Sequence, residues 1–383
     1  MSLGLVNPHF RADFAVPSPS PAAVDLHRRL PGYSPTPLRS LSRLAGRLSV
    51  GAIDIKDESE RLGLPAYKVL GAAWATYVAL RQRFGRELEP WGSIEELAQL
   101  VAALPPVTLV TATDGNHGRG VARVARWLGL AAEIYLPKGT AAARLRGIRS
   151  EGARVIEVDG TYDDTVAHAA AVTNDAKLLI QDHGWPGYEE VPGWVAEGYQ
   201  TIFLEIEAEL ARRSAPPYDL VLLQIGVGTL ASAAIRHFRR TGLAPRPALV
   251  GVEPTGAACA LRSIEAGQPV LISAGADASI MAGLNCGTPS TAAWPYLRDG
   301  VEAFLAVEDD QAREAMRLLA AEGIVSGESG AAGLAGLLEL CEGKDRGQVR
   351  ERLGISGRTR VLLLSTEGAT DPENWQRVVG RPA

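Results

Sequence analysis

The sequence is short of cysteine, of positive charge and of long apolar runs. Its three cysteines, Cys259, Cys286 and Cys341, are odd in number and widely spaced, which argues against a disulfide framework or a metal site. A net charge of −5 without a Lys/Arg cluster excludes the basic footprint of a protein that binds nucleic acid or an anionic membrane. No run reaches the roughly 18 apolar residues of a membrane span, and residues 1–16 are too polar for a secretion signal. We therefore expect a cytoplasmic protein with free thiols and no metal, nucleic-acid or membrane partner.

What the chain does contain is a regular alternation of apolar runs and helical stretches from Gly51 onward. This alternation predicts an α/β fold with parallel-type sheets flanked by helices. Nine apolar runs are expected to form strands: residues 53–56, 107–111, 133–136, 154–158, 178–181, 220–225, 248–252, 304–307 and 361–364.

The spacing of these runs also suggests two domains. Between residues 104 and 185 the strand and helix units are short and regular, which predicts a compact small domain. The remaining segments, residues 1–103 and 186–383, would form a larger domain. A cleft between two such domains is a common binding place for small ligands.

Lys68 lies at the start of a long apolar helix. A lysine at a helix start is usually a solvated surface charge, because lysine is rarely buried. Here Leu64, Tyr67 and Leu70 surround it, so we expect burial to oppose its charge. A lysine in that setting can act as a nucleophile toward a carbonyl group.

The turn at residues 111–118 places Asp114 between a predicted strand and a predicted helix. Backbone N–H groups in such a turn can bind an anion while Asp114 acts as a base beside it. Asp114 can equally well serve as a cap of the helix that begins near Asn116. The local sequence leaves both interpretations open.

A second glycine turn, Gly226-Val227-Gly228-Thr229-Leu230-Ala231, follows the apolar run at residues 220–225 and matches G-x-G-x-x-A. With Glu253 ending the next strand, this pattern is also that of an NAD-binding oxidoreductase. Too few strands follow Glu253 for a second mononucleotide half, so a single phosphate on the helix N-terminus is favoured. For this turn, the alternative is a tight turn that binds nothing. For the whole protein, a non-catalytic small-molecule-binding protein is an alternative beside the oxidoreductase.

Several segments occur together in an order typical of one enzyme family. They are Thr36-Pro37-Leu38, residues 56–70, residues 111–121, residues 162–166, Gln181-Asp182 with Trp185, residues 280–284, residues 326–330 and Thr366-Glu367-Gly368. Together they resemble the diaminopropionate ammonia-lyase family, whose members are pyridoxal 5'-phosphate (PLP) enzymes of fold type II, the tryptophan synthase β-type fold. No single segment is specific, but their joint occurrence is.

The resemblance implies PLP as the cofactor and a site distributed over the whole chain. The implied cofactor-binding residues are Lys68, Asn116, Gly226, Val227, Gly228, Thr229, Leu230, Glu328, Ser365 and Thr366. The implied substrate-binding residues are Thr113, Asp114, Asn116, His117, Asp182 and His183. In this scheme Lys68 binds the cofactor covalently, Asn116 contacts its phenolic oxygen and residues 226–230 hold its phosphate. Ser365, or otherwise Thr366, contacts the pyridine nitrogen.

The implied reaction is elimination of ammonia from 2,3-diaminopropionate, which yields pyruvate and a second ammonia. The implied catalytic residues are Lys68 and Asp114, one for each face of the substrate and so for the L and D isomers, with Asp182 binding the β-ammonium group. The chain departs from the family pattern at His183-Gly184, where small residues are usual. A related β-eliminase or β-replacement enzyme, similar to serine/threonine dehydratase, therefore remains the alternative. The resemblance also implies a homodimer.

Overall fold

The computed structural model describes residues 3–273, 279–343 and 347–383, and these contain eleven strands and fifteen α-helices. The strands are β1 Leu3–Val6, β2 Leu38–Ser40, β3 Ala52–Asp57, β4 Thr108–Ala112, β5 Ala131–Pro137, β6 Arg154–Val158, β7 Lys177–Leu179, β8 Leu220–Gln224, β9 Ala248–Pro254, β10 Ala303–Val307 and β11 Arg360–Ser365. The helices are α1 Ala22–His27, α2 Ser42–Leu48, α3 Lys68–Phe84, α4 Ile94–Ala102, α5 Asn116–Leu128, α6 Ala142–Arg149, α7 Tyr162–Ala171, α8 Glu190–Arg213, α9 Thr229–Phe238, α10 Cys259–Ala266, α11 Trp294–Gly300, α12 Asp309–Ala321, α13 Ala332–Glu342, α14 Gly347–Leu353 and α15 Pro372–Val379. None of these described helices is both long enough and apolar enough to cross a bilayer.

The larger sheet has seven strands in the order β1-β10-β9-β8-β11-β3-β2. Its five inner strands run parallel, and β1 and β2 pair antiparallel at the two edges. Helices cover parallel sheets on both faces, so their inner strands are apolar throughout. Every residue of β8 and β10 is buried, which explains why these strands appear in the sequence as uninterrupted apolar runs.

The smaller sheet has four parallel strands in the order β6-β5-β4-β7. All four come from residues 108–179, inside the segment that the sequence predicts to be a small domain. Helices α3 and α4 precede that segment but pack against α5, which follows β4. The domain boundaries at residues 104 and 185 stay a prediction.

The α/β fold class is confirmed, and each of the nine predicted strands coincides with an observed one. Strands β1 and β2 are missing from the prediction because they have only four and three residues, too few to show a period. Helix α4 could have been predicted. The side chain of Ser93 accepts the N–H of Glu96, which is the S-x-x-E signal of a helix start.

Helix α3 brings Lys68 into the interior between α5 and α8. Helix α5 approaches α3 closely at Gly120. A Cβ added there would lie 3.0 Å from the backbone nitrogen of Val69 and 3.2 Å from the carbonyl carbon of Lys68. Only glycine permits two helices to pack so closely, and the packing fixes the first turn of α3 where its lysine begins.

Candidate active site

A cavity lies where loops from both sheets meet. Its wall is formed by Tyr67, Lys68, Asp114, Asn116, Tyr162, Asp182, Gln224, Gly226, Val227, Gly228, Thr229, Leu230, Ala282, Gly283, Leu284, Asn285, Cys286, Ser329, Thr366 and Glu367. The turns that follow β4, β8 and β11 all contribute, as expected for carboxyl ends of parallel strands.

Lys68 is the first residue of α3, and its Nζ donates a hydrogen bond of 2.5 Å to Oδ2 of Asp182. Its side chain is 17% exposed, toward the cavity. Burial opposes the charge, but the carboxylate of Asp182 outweighs this and holds the pKa of Lys68 well above its usual value. The sequence predicted only the opposing effect of burial. In the structure Lys68 is a charged ammonium group with one carboxylate partner.

Asp182 joins the lysine to the glycine turn. Burial alone would raise the pKa of its carboxyl, but His117 and Lys68 lower it to about 2, so Asp182 is an anion at neutral pH. Nδ1 of His117 lies 3.8 Å from Oδ2 of Asp182. The backbone oxygen of Asp182 accepts a hydrogen bond of 2.6 Å from the hydroxyl of Thr229, at the start of α9.

Asp114 is half-buried and lines the cavity. Among the described residues its carboxylate takes part in no hydrogen bond or salt bridge. Thr113 does the capping, because its hydroxyl oxygen accepts the N–H groups of Gly115 and Gly118 at 2.9 and 3.0 Å. The capping interpretation of Asp114 is therefore wrong, and its carboxylate is available to a ligand. Thr113 itself is buried, outside the cavity wall.

The second glycine turn, at residues 226–231, presents backbone N–H donors to the cavity, whereas Asp114 presents an acceptor. Gly228 is the N-cap of α9 with φ +94°, a conformation that favours glycine, and no side chain caps this helix. The N–H groups of the first helical turn therefore lack intrahelical partners, and they lie in the cavity wall at residues 228–230. An uncapped helix N-terminus of this kind binds phosphate.

Glu253 does not support a dinucleotide site. Its carboxylate oxygens accept the N–H groups of Ala260 and Leu261, both at 2.8 Å, and its side chain is buried at the start of α10. A carboxylate used in this way is a helix cap and cannot reach a ribose. The glycine turn at residues 226–231 therefore lacks the ribose-binding carboxylate that an NAD site needs.

The residues predicted near the pyridine nitrogen lie in three different surroundings. Ser365 is buried, and its hydroxyl donates to the hydroxyl of Ser326 at 2.8 Å. Thr366 lines the cavity, and its oxygen accepts a hydrogen bond of 3.2 Å from Nε2 of Gln224, which leaves its own proton free to donate. Glu328 accepts a hydrogen bond from the Asn374 side chain and lies in a neighbouring pocket.

His117 and His183 also lie outside the cavity wall, although both are buried close to Asp182. Burial lowers the pKa of each imidazole below its usual value. The ring of His183 stacks on Tyr162 at a centroid distance of 6.5 Å. These two histidines therefore border the residues that form the cavity wall.

The sequence analysis did not predict the other ten residues of the wall as site residues: Tyr67, Tyr162, Gln224, Ala282, Gly283, Leu284, Asn285, Cys286, Ser329 and Glu367. Tyr162 begins α7, its hydroxyl oxygen accepts Nε2 of Gln181 at 3.0 Å, and burial raises its pKa well above the usual value. It is thus a neutral hydroxyl with a proton left to donate. Tyr162 and Glu367 lie in segments that carry the family resemblance, but no local pattern indicates that their side chains face a ligand.

Taken together, the wall fits PLP. A lysine amine is present for the aldehyde, an uncapped helix N-terminus for the phosphate and a hydroxyl donor, Thr366, for the ring nitrogen. The amide of Asn116 adds a donor for the phenolic oxygen. Ten of the predicted site residues meet here: Lys68, Asp114, Asn116, Asp182, Gly226, Val227, Gly228, Thr229, Leu230 and Thr366.

Comparisons with known proteins agree with this geometry. Residues 29–366 match the family described as pyridoxal-phosphate dependent enzyme. The chain is 39% identical over 370 residues to diaminopropionate ammonia-lyase of Salmonella typhimurium, covering 93% of this chain and 91% of that protein. It also resembles two crystal structures of the Escherichia coli diaminopropionate ammonia-lyase. The complex with an aminoacrylate-PLP azomethine reaction intermediate has a TM-score of 0.87 and 34% identity, and the D-serine complex 0.88 and 35%. Each match covers 99% of this chain and 97% of the other.

Proposed function

Because the chain belongs to the diaminopropionate ammonia-lyase family of PLP-dependent enzymes, we propose that it converts 2,3-diaminopropionate to pyruvate and ammonia by α,β-elimination. The observation that carries the proposal is one cavity that holds the Lys68–Asp182 pair, the free carboxylate of Asp114 and an uncapped helix N-terminus. The cofactor is PLP. When bound, PLP withdraws electrons from the substrate and makes its Cα–H acidic.

Different residues of the wall bind different parts of the cofactor. Lys68 holds it covalently, and residues 226–230 hold its phosphate on backbone N–H groups. Thr366 donates to the ring nitrogen, in preference to Ser365, because the Thr366 hydroxyl lines the cavity with its proton free. Asn116 contacts the phenolic oxygen.

Two bases serve the two faces of the substrate. With the cofactor bound, the Lys68 amine would take the Cα proton of the L isomer. The Asp114 carboxylate takes that of the D isomer. Since Asp114 has no protein partner among the described residues, no hydrogen bond must break before it accepts a proton. The β-ammonium group departs as neutral ammonia with the electrons of its C–N bond, so it needs no further proton.

Asp182 recognises the β-ammonium group of the substrate. It is buried and remains ionised at neutral pH, so it can form a charge-assisted hydrogen bond with a cationic β-substituent. It already makes such a bond with the Lys68 ammonium group, which is chemically similar. A neutral β-hydroxyl gains less from the same carboxylate, and this difference favours diaminopropionate over serine.

Elimination from serine or another β-substituted alanine is the alternative function. D-serine occupies a complex of the Escherichia coli relative, so a β-hydroxy amino acid is compatible with a site of this type. The neutral hydroxyl of Tyr162 in the cavity wall is a suitable donor for a hydroxyl leaving group.

A pyruvate and ammonia assay decides between the two substrates. The purified enzyme with PLP is given D- and L-diaminopropionate, D- and L-serine and threonine, and kcat/KM is measured for each. We expect both isomers of diaminopropionate to be the best substrates. A higher kcat/KM for serine than for either isomer of diaminopropionate would reverse the assignment.

We further propose that the enzyme is a cytoplasmic homodimer. The three cysteines are buried, and none forms a disulfide within the described residues, which suits a reducing compartment. Light scattering on the purified holoenzyme tests the assembly, and a mass other than twice 40.6 kDa contradicts it.

A further inference from the structure

Glu367 is a buried carboxyl in the cavity wall to which the proposed function assigns no role. It follows β11 and is 2% exposed. Its backbone pairs with Ala66, two residues before Lys68, so it belongs to the framework around the lysine. Its side chain reaches across to Asn116, at the start of α5 on the side of the smaller sheet.

Three donors among the described residues form hydrogen bonds with this carboxylate. Oε1 accepts the backbone N–H of Ser329 at 3.0 Å, and Oε2 accepts Nδ2 of Asn116 at 2.5 Å. The hydroxyl of Thr370 is a longer donor to Oε2, at 3.4 Å. All three donors are uncharged, so these hydrogen bonds orient the groups that donate them.

One of these contacts determines which way the Asn116 amide points. A carboxylate accepts hydrogen bonds only, so the NH₂ group of Asn116 must face Glu367 and its carbonyl oxygen must face away. The amide has a second N–H, and Asn116 lines the cavity. That second N–H is the donor that Asn116 can offer to a ligand.

We infer that Glu367 is a positioning residue for the cofactor: it fixes the Asn116 amide so that an N–H points toward the phenolic oxygen of PLP. The same bond ties the start of α5 to the loop after β11, on opposite sides of the cavity. The inference rests on the proposed contact between Asn116 and PLP. It does not depend on which amino acid is the substrate.

Glu367→Gln separates this role from simple space filling, because glutamine has the same shape but one acceptor oxygen. The Ser329 N–H requires that oxygen, so the glutamine NH₂ group then faces the NH₂ group of Asn116. Two donors cannot bond, and Asn116 must turn its amide over. The N–H offered to the cofactor then changes direction.

The experiment measures PLP binding to the apoenzyme by fluorescence titration and the absorbance spectrum of the reconstituted enzyme. Glu367→Gln should raise the Kd of PLP by about tenfold, the effect of one lost hydrogen bond, and should shift the visible absorbance maximum. Glu367→Asp keeps the carboxylate but is one methylene too short to reach both partners, so it should show the same shift with a smaller loss. Glu253→Gln is the matched control. It also alters a buried carboxylate that accepts two backbone N–H groups, yet it should leave the spectrum unchanged.

Three further outcomes test the inference. If Asn116→Ala weakens PLP binding but Glu367→Gln binds PLP as wild type does, with the same spectrum, the inference is overturned while the Asn116 contact stands. If Asn116→Ala itself has no effect, the proposed contact fails and the inference fails with it. Should Glu367→Gln not fold, an unchanged spectrum in Glu367→Asp overturns the inference instead.

Glu367 could act by orienting the Asn116 amide or only by joining the two sides of the cavity. A double variant distinguishes these two effects. In Glu367→Gln with Asn116→Asp, the new NH₂ group meets a new carboxylate, so the contact is restored but no N–H is offered to the cofactor. We expect the thermal stability lost in Glu367→Gln to recover, while the spectrum stays shifted. Recovery of the wild-type spectrum as well would overturn the inference.

Discussion

Lys56 is buried and Lys68 is largely buried; each binds a carboxylate, and of these two lysines only Lys68 lines the cavity. Lys56, in β3, donates to the backbone oxygen of Thr36 at 2.7 Å and to Oε2 of Glu205 at 2.6 Å. Its side chain is 2% exposed. Lys68 has one carboxylate partner at 2.5 Å and a side chain 17% exposed. Burial and a salt bridge are therefore common to both and do not by themselves make a lysine reactive.

The surroundings make the difference. We call Thr36, Lys56, Glu58, Arg61 and Glu205 the Lys56 cluster. Arg61 donates to both glutamates at 2.6 to 2.8 Å. Every charged group of the Lys56 cluster therefore has a protein partner. The Lys68 site contains groups whose bonding capacity is not used by the protein. A closed network contributes structure, whereas an incompletely bonded one can bind a substrate.

Lys68→Ala is the strongest test of the difference between Lys68 and Lys56. Since Lys68 is proposed to hold the cofactor and to move the Cα proton, elimination should fall by more than about a thousandfold. Borohydride reduction of the wild-type holoenzyme, followed by peptide mass mapping, should place the cofactor on Lys68. Labelling of Lys56 or Lys138 would contradict the whole model of the site.

Lys56→Met should act on stability instead. It removes one cation from a buried network and leaves Glu205 with Arg61 as its remaining charged partner, so we expect a loss of about 3 kcal/mol in the free energy of unfolding. Urea denaturation gives this value. The folded variant should still show the cofactor absorbance of wild type, and loss of that absorbance would erase the distinction between the two lysines.

Asp114→Asn keeps the size of the side chain but removes the base. Turnover of D-diaminopropionate should fall by about a hundredfold, with a much smaller effect on the L isomer. Asp159→Asn, at an exposed aspartate, is the control and should leave both rates unchanged. Equal losses on the two isomers would mean that Asp114 only contacts the substrate carboxylate.

Asp182→Asn sharpens the proposed substrate preference. It should weaken recognition of diaminopropionate by about 1.5 to 3 kcal/mol, and that of serine less. A loss common to both is also expected, because Asp182 holds Lys68. The quantity to compare is the ratio of kcat/KM for the two substrates, and an unchanged ratio argues against a role with the β-ammonium group. Burial lowers the pKa of His183, so any pH dependence that it adds should appear below pH 6.5.

The smallest predicted effect concerns acid stability next to the Lys56 cluster. Burial lowers the pKa of His27 to about 3, and Arg61 lowers it further while Leu70 and Glu205 oppose this. The unfolded chain binds this proton below about pH 6.5 and the folded chain does not, so stability falls as the pH drops from about 6.5 toward 3, by up to about 1.4 kcal/mol per pH unit. Urea unfolding at pH 7 and 5.5 should show a shallower decline in His27→Gln. An equal decline in both would contradict the assignment.

The sequence was most informative where the signal is local. Lys68, Asp114 and residues 226–230 each stand at a predicted boundary between elements, and the structure brings them into one cavity. The choice between Ser365 and Thr366 was not accessible, because neighbouring residues of an extended segment point in opposite directions and only the register decides.

Contacts between distant segments were also beyond the sequence. Asn116 and Glu367 are 251 positions apart, and neither residue indicates the other. The same holds for the carboxylate beside Lys68: Asp182 is 114 positions away, and it turned an expected decrease of the lysine pKa into an increase.

Strand β1 has a consequence for the order in which the molecule assembles. Leu3 pairs with Ala306 and Val6 with Ala303, so β1 has its partner about 300 residues later in the chain. Pairings so distant in sequence close large loops and form late in folding. Until β10 is synthesised, residues 3–6 have no partner strand. Until β1 pairs with β10, this edge of the large sheet is open. An open edge is where β proteins associate wrongly, so this short strand protects the last step of assembly.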